Sequence, residues 1–174
     1  MVKMKIFNGF NIPRKYFNSI ILVGNFDGVH LGHQKLFKKA REYKKKFKSK
    51  IGVITFNPMP KMFFNLNLKH FKLMNTTQKI DQLRKQKVDF LINQKFSKKF
   101  SKIKAELFIQ NYLIKKIKAK VLFVSNNFRF GNKREGDINL LKSNEIKYNY
   151  KLIIPQPLKK NNKIISSTKI RKLL

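Results

Sequence analysis

Apolar positions along the chain keep two different rhythms. Short apolar-rich runs at Ile20–Gly24, Ile51–Phe56, Val88–Asn93, Lys120–Ser125 and Ile146–Ile154 read as strands, the first with the unbroken pattern of a buried one, and an initial strand is expected around Met4–Phe7. Between them the spacing turns helical. Leu36, Ala40, Tyr43 and Phe47 form one stripe, with Lys38, Lys39, Lys44, Lys45 and Lys46 on the other sides. Thr76-Thr77 are expected to cap a helix through Lys87 that turns Ile80 and Leu83 inward. Ala105, Phe108, Ile109, Tyr112, Leu113 and Ile117 share a further helical face. A short helix should end near Ser143, and Ser166-Ser167-Thr168 should open a terminal one. Residues 57–75, 96–104 and 126–137 are expected as loops, the first beginning at the rigid Asn57-Pro58-Met59-Pro60. Strands alternating with helices imply βαβ units, hence an α/β, Rossmann-like, doubly wound parallel sheet of about five strands. In such sheets ligands bind beyond the carboxyl ends of the strands, so the loops after Val23, Phe56 and Val124 should converge on one edge.

Composition narrows the class. The chain has 174 residues, 42% hydrophobic and 13% aromatic, enough for one domain with a sizeable core and too much for a disordered chain. Without cysteine it has no disulfide, no thiolate nucleophile and no Cys-based zinc site. Met1-Val2-Lys3-Met4-Lys5 lacks the apolar stretch of a secretory signal, and no apolar run reaches membrane-spanning length, so a cytoplasmic protein with no membrane partner is expected. The charge is the oddity: 41 Lys+Arg against 8 Asp+Glu give a formal +33. A nucleic-acid reader would concentrate such charge in a stripe and use more Arg. Here the lysines are spread over most helices, beside abundant Asn, Ile and Phe. That pattern fits compositional bias, with weak adventitious polyanion binding as its consequence.

Four stretches carry candidate chemistry. Gly24-Asn25-Phe26-Asp27-Gly28-Val29-His30-Leu31-Gly32-His33 runs from strand through a glycine turn into a helix start, where unpaired N–H groups favour phosphate. His30 and His33 would donate to a polyphosphate. A zinc reading is weaker, because the remaining histidine is His70 and the spacing is not that of a helical HExxH. Ser166-Ser167-Thr168-Lys169-Ile170-Arg171 places hydroxyls and two cations in a first helical turn, where the helix dipole disfavours cations unless an anion lies between. Arg129, between Phe128 and Phe130, could hold a planar ring or a phosphate, or could be a solvated residue in a loop pinned by its aromatic neighbours. Asn57-Pro58-Met59-Pro60 could wall a pocket or merely end a strand.

In this order the four stretches resemble the adenylyltransferase module of bacterial FAD synthetase, the bifunctional riboflavin kinase/FMN adenylyltransferase family within the HxGH nucleotidyltransferases. The family's pattern runs GNFDGVHLGH, TF-x-PHP, D/N-F-x-FG and ISSTRIR. The first is intact at Gly24–His33, and the last is Ile165–Arg171 with Lys169 in place of Arg. The sequence departs at Met59, which stands where the family has the His of PHP, at Ser125-Asn126-Asn127, and at Ser97-Lys98-Lys99, where acidic residues are usual. The resemblance implies a single adenylyltransferase domain over 1–174 without the riboflavin kinase module, either as a stand-alone enzyme with a separately supplied kinase or as a piece of a longer one. It implies ATP and FMN as substrates, FAD and pyrophosphate as products, and Mg²⁺ carried by ATP. His30, His33 and Arg171 would be catalytic. Gly24, Asn25, Phe26, Asp27, Gly28, Ser166, Ser167 and Thr168 would join them in binding ATP. Asn57, Pro58, Asn127 and Arg129 would contact flavin. Three other readings stay open: another phosphorylated acceptor such as phosphopantetheine, a degenerate flavin or nucleotide binder, and a basic nucleic-acid-associated protein.

Overall fold

A computed structural model describes residues 4–68, 71–157, 159–160, 163–164 and 167–171. Strands β1 (Lys5–Phe7), β2 (Ile20–Val23), β3 (Ile51–Asn57), β4 (Phe90–Lys95), β5 (Val121–Phe123) and β6 (Lys151–Ile153) form one sheet in the order β1-β4-β3-β2-β5-β6. Every pairing is parallel. The sheet is thus six-stranded, against the expectation of about five. A separate antiparallel pair, β7 (Lys159–Lys160) and β8 (Lys163–Ile164), was not expected.

The uninterrupted apolar runs follow from burial on both faces. Along β2, Ile20 and Leu22 enter one core with Ile51, Val53 and Val121, while Ile21 and Val23 enter the other with Ile54, Phe90 and Leu122. Gly52 lies in β3 because a Cβ there would meet the Phe90 ring at 2.2 Å. Helix α1 (Leu31–Phe47) covers the Ile20 face with Phe37 and Ala40 fully buried and Leu36, Tyr43 and Phe47 packed at its margin. Phe37 thus carries burial that the periodicity gave to its neighbours. A short helix, α2 (Pro60–Phe64), interrupts the loop after β3, and α3 (Thr76–Lys85) joins α1 on the same face through Leu83. The cap of α3 is Asn75 rather than the threonines: its side chain accepts from Gln78 N and the Gln78 side chain accepts from Asn75 N, a reciprocal capping box.

On the opposite face, α4 (Lys98–Ser101) occupies part of the expected 96–104 loop, capped by Ser97. Helix α5 (Ala105–Leu107) runs straight into a π-helical stretch, Phe108–Lys116, that buries Phe108, Ile109 and Leu113. The wider π turn still sets these apolar positions against the sheet, which is why the helical spacing was readable although its pitch was not. Helix α6 (Ile138–Ser143) is capped by Asp137. The expected strand 146–154 shrinks to β6, because Glu145–Tyr148 forms α7 and Asn149 turns left-handed before the strand starts. Ile146, 97% exposed, lies outside the strand altogether. The last described element is α8 (Ser167–Arg171).

Candidate active site

The sheet reverses direction between β2 and β5: the chain leaves β2 through α1 toward β3, and leaves β5 toward β6 on the other side. The crevice for a ligand opens at the carboxyl ends of those two strands. The turn after β2 occupies it and is tightly wound. Phe26, Gly28 and Val29 all have positive φ, at 47°, 85° and 32°. For a β-branched residue such as Val29 this conformation is strained and persists only where surrounding contacts hold it. Gly28 is also required sterically, since a Cβ would come within 2.9 Å of Leu73.

The turn delivers His30 to the N-cap of α1 and His33 to its first turn. Their rings stack, with centroids 3.8 Å apart and planes 21° apart. The Phe26 ring supports His33 edge-on at 5.2 Å and continues to Phe37. Phe26 is 3% exposed. Its side chain therefore buttresses the site from the core and leaves only its backbone for a nucleotide. Both Nδ1 atoms are buried without a hydrogen-bond partner among the described residues. Burial lowers the pKa of His30. His33 is pushed down to about 3, by burial first and by the His30 charge second, with Asp27 opposing. Both imidazoles are neutral at neutral pH. A buried N–H with no acceptor costs more than a buried lone pair, so the proton belongs on Nε2, which makes each ring a neutral donor.

This burial has a pH signature. Below about 6.5 the unfolded imidazole takes a proton, whereas folded His33 refuses one until the pH falls to about 3. The unfolded state then binds more protons, so stability is full above the unfolded pKa and falls as pH drops through that window. Denaturant melts at pH 7 and pH 5 should show a larger loss for the wild type than for His33→Gln. Equal losses would contradict the burial argument.

Asp27 occupies a position that its sequence motif does not reveal. At 2% exposure, its carboxylate accepts from Leu73 N at 2.9 Å and Met74 N at 3.2 Å. It also accepts from Arg171 Nη2 at 2.6 Å. Ser167 Oγ donates to the Asp27 carbonyl at 2.7 Å. Arg171 Nε donates to Phe71 O at 2.7 Å, and its guanidinium lies 3.8 Å over the Phe71 ring. Three segments distant in sequence — the β2 turn, residues 71–74 and α8 — are thereby tied at one carboxylate. Asp27 ties these segments together, and Arg171 approaches the histidine turn already bound to it. Lys79 of α3, not among the expected site residues, lies in the same electrostatic field. Burial lowers its pKa, Asp27 opposes and Lys72 reinforces.

A second feature lies beyond β3, β4 and β5. A cavity of about 540 Å³ is lined mainly by Phe56, Phe64, Phe96, Phe100, Phe108, Phe128 and Phe130, with Arg129 among its few polar groups. The expected flavin contacts divide here. Arg129 lines this cavity while ion-paired to Asp137 at 3.2 Å. Asn57, Pro58 and Asn127 do not line it: Asn57 borders a much smaller neighbouring cavity, and Asn127 is exposed, its Oδ1 accepting from Ser125 Oγ at 2.9 Å. Met59, 1% exposed, packs beside Asn57 and away from the aromatic cavity. Ser166 and His70 lie outside the described residues, and Thr168 is described only as part of the α8 backbone. Gly24 and Asn25 fall on the turn as expected, the Asn25 carbonyl facing Thr55 Oγ1 at 3.5 Å. Among the described residues no group of three or more His, Asp or Glu could hold a metal ion, and no helix is long and apolar enough to cross a membrane.

A parallel sheet with two stacked histidines at its switch point, and its last described helix tied to the turn that bears them, has the fold of the HxGH nucleotidyltransferases. The chain belongs to the FAD synthetase family, whose match runs over residues 13–169. It is 42% identical over 172 residues to a bifunctional riboflavin kinase/FMN adenylyltransferase of Buchnera aphidicola from Acyrthosiphon pisum, covering 98% of this chain and 55% of the relative. It is 32% identical to the Escherichia coli K12 protein of the same description, covering 89% and 50%. The chain therefore spans about half the length of these curated relatives. A crystal structure described as a macrolide-efflux protein from Streptococcus pneumoniae superposes with a TM-score of 0.80 at 28% identity, over 99% of this chain and 57% of that one. A pantoate-beta-alanine ligase from Francisella tularensis shares the fold alone, at 18% identity and a TM-score of 0.63, over 97% and 73% of the two chains.

Proposed function

We propose that residues 1–174 form an FMN adenylyltransferase domain, which transfers the adenylyl group of ATP to FMN and releases pyrophosphate. Family membership and the relatives' descriptions support the reaction. The observation that carries the assignment of residues is the tie at Asp27, which joins the Ser167–Arg171 helix to the turn bearing His30 and His33. Two candidate anion-binding stretches from opposite ends of the chain thus meet beside one crevice, and an aromatic cavity of flavin-compatible size opens near it.

The chemistry asks little of the protein in proton transfer. The phosphate oxygen of FMN is already anionic near neutral pH. It bonds to the α-phosphorus of ATP, the α–β bridging P–O bond breaks, and pyrophosphate leaves with the electron pair. Catalysis is then positioning and charge stabilisation. His30 and His33, as neutral Nε2 donors, stabilise the oxygens around the α-phosphorus, helped by the α1 N-terminal amides. Arg171 and Ser167 face the β- and γ-phosphates. Arg129, fixed by Asp137, borders the flavin. Mg²⁺ arrives with ATP as its counter-ion, in keeping with a carboxylate at Asp27 that is already occupied.

The test is chromatography after incubating the purified chain with ATP, Mg²⁺ and FMN. FAD and pyrophosphate in equal amounts are expected. FMN binding without FAD would turn the reading into a flavin binder. Adenylylation of phosphopantetheine in preference to FMN would give it another acceptor.

A further inference from the structure

The loop from Gly131 to Gly136 is built at considerable conformational expense. Lys133 and Arg134 are consecutive non-glycine residues with φ of 49° and 62°, both left-handed. Such strain survives only where neighbouring contacts fix it, and it concentrates at functional sites. Those contacts are present. Asn132 N donates to Ile103 O at 2.7 Å, and Phe130 and Gly136 pair as a bridge. The Glu135 carboxylate is turned away to accept from Ala105 N at 2.8 Å. Gly131 and Gly136 press so closely on Ala105 that a Cβ at either would come within 2.7 Å of it.

The product of this construction is a pair of exposed cations on the rim of the aromatic cavity. Arg129 on the same rim already has Asp137, whereas Lys133 and Arg134 have no acidic partner at ion-pair distance among the described residues. Lys61 also lines the cavity without an acidic partner among the described residues, its Nζ lying 4.8 Å over the Phe71 ring, and an apolar chamber with such cations at its mouth suits a ligand with an aromatic body and an anionic end. We propose that the Gly131–Gly136 loop reads the phosphate of FMN, and that Lys133 and Arg134 make the domain prefer FMN to uncharged riboflavin. This rests on the FMN adenylyltransferase reading above.

The experiment measures FMN and riboflavin dissociation constants by flavin fluorescence, and Tm, for the wild type and the Lys133→Gly/Arg134→Gly variant. Glycine removes both charges and relieves the left-handed strain. The expected result is an FMN affinity lowered about tenfold or more, as for lost charge-assisted hydrogen bonds, with riboflavin affinity unchanged and Tm raised. That combination separates phosphate recognition from a structural role, which would lower Tm and weaken both flavins together. A charge-matched control, Lys115→Ala/Lys118→Ala, should leave the FMN-to-riboflavin ratio as it is. Equal weakening of both flavins, an unchanged ratio, or the same loss in the control overturns the proposal. A wild type that binds neither flavin overturns the FMN reading itself.

Discussion

His33→Ala is expected to lower kcat/KM for FAD formation by about a hundredfold, the usual result of removing one preorganised donor to a developing oxyanion. The size of the effect comes from how the ring is held. It is stacked on His30 at 3.8 Å and braced by Phe26. It is kept neutral by burial, so it needs no rearrangement and no proton uptake to donate. Because the donor is neutral, the rate should not follow an imidazole titration between pH 6 and pH 8. Asparagine, which retains a donor near the same place, should recover part of the loss. Steady-state kinetics of the alanine and asparagine variants would settle the assignment: turnover close to wild type in His33→Ala would remove the histidine from the reaction.

Asp27→Ala should have the largest effect on stability near the site. Removing one member of a buried ion pair leaves the other uncompensated, at a cost of about 3 kcal/mol or more, and the Arg171 side chain is only 17% exposed. The Leu73 and Met74 amides lose their acceptor in the same step. The tie joins a terminal helix to the rest of the domain, so the loss should appear first as release of α8 and only then as global unfolding. Limited proteolysis should therefore cut the C-terminal segment of Asp27→Ala sooner than in the wild type, while kcat/KM falls about as far as in Arg171→Ala. The double variant should be little worse than either single one, since the two residues act as a unit. Additive losses would mean that Asp27 and Arg171 serve separate purposes.

The cavity's aromatic lining was legible only as abundance. The chain holds 17 phenylalanines, but Phe56 comes from β3, Phe96 and Phe130 from loops and Phe108 from the π-helical stretch, and nothing in their spacing says that they face one chamber. Phe128 and Phe130 could be seen to flank Arg129, and they do stack on each other at 5.3 Å. The flavin contacts expected of Asn57, Pro58 and Asn127 rested on the family resemblance of the two loops that carry them. The structure turns the strand end at Asn57 toward a different, smaller cavity. The segment that forms α7 has the alternation of a strand, with Ile146 and Tyr148 apolar between polar residues, yet none of its residues is buried and Ile146 is 97% exposed.

What the sequence determined alone is whatever depends on neighbours along the chain. The apolar runs of the central strands, the glycine-punctuated turn and the histidine pair at a helix start are local patterns, because burial on two faces, turn geometry and helix caps are satisfied within a few residues. Tertiary structure decided the rest: that Asp27 is a buried tie for Arg171, that the Phe26 ring braces His33, and that a strained pair of cations lies on the rim of an aromatic chamber. A carboxylate 144 positions away from its arginine finds it only after the sheet has closed. That pairing is fixed by packing energy, which no short window of sequence contains.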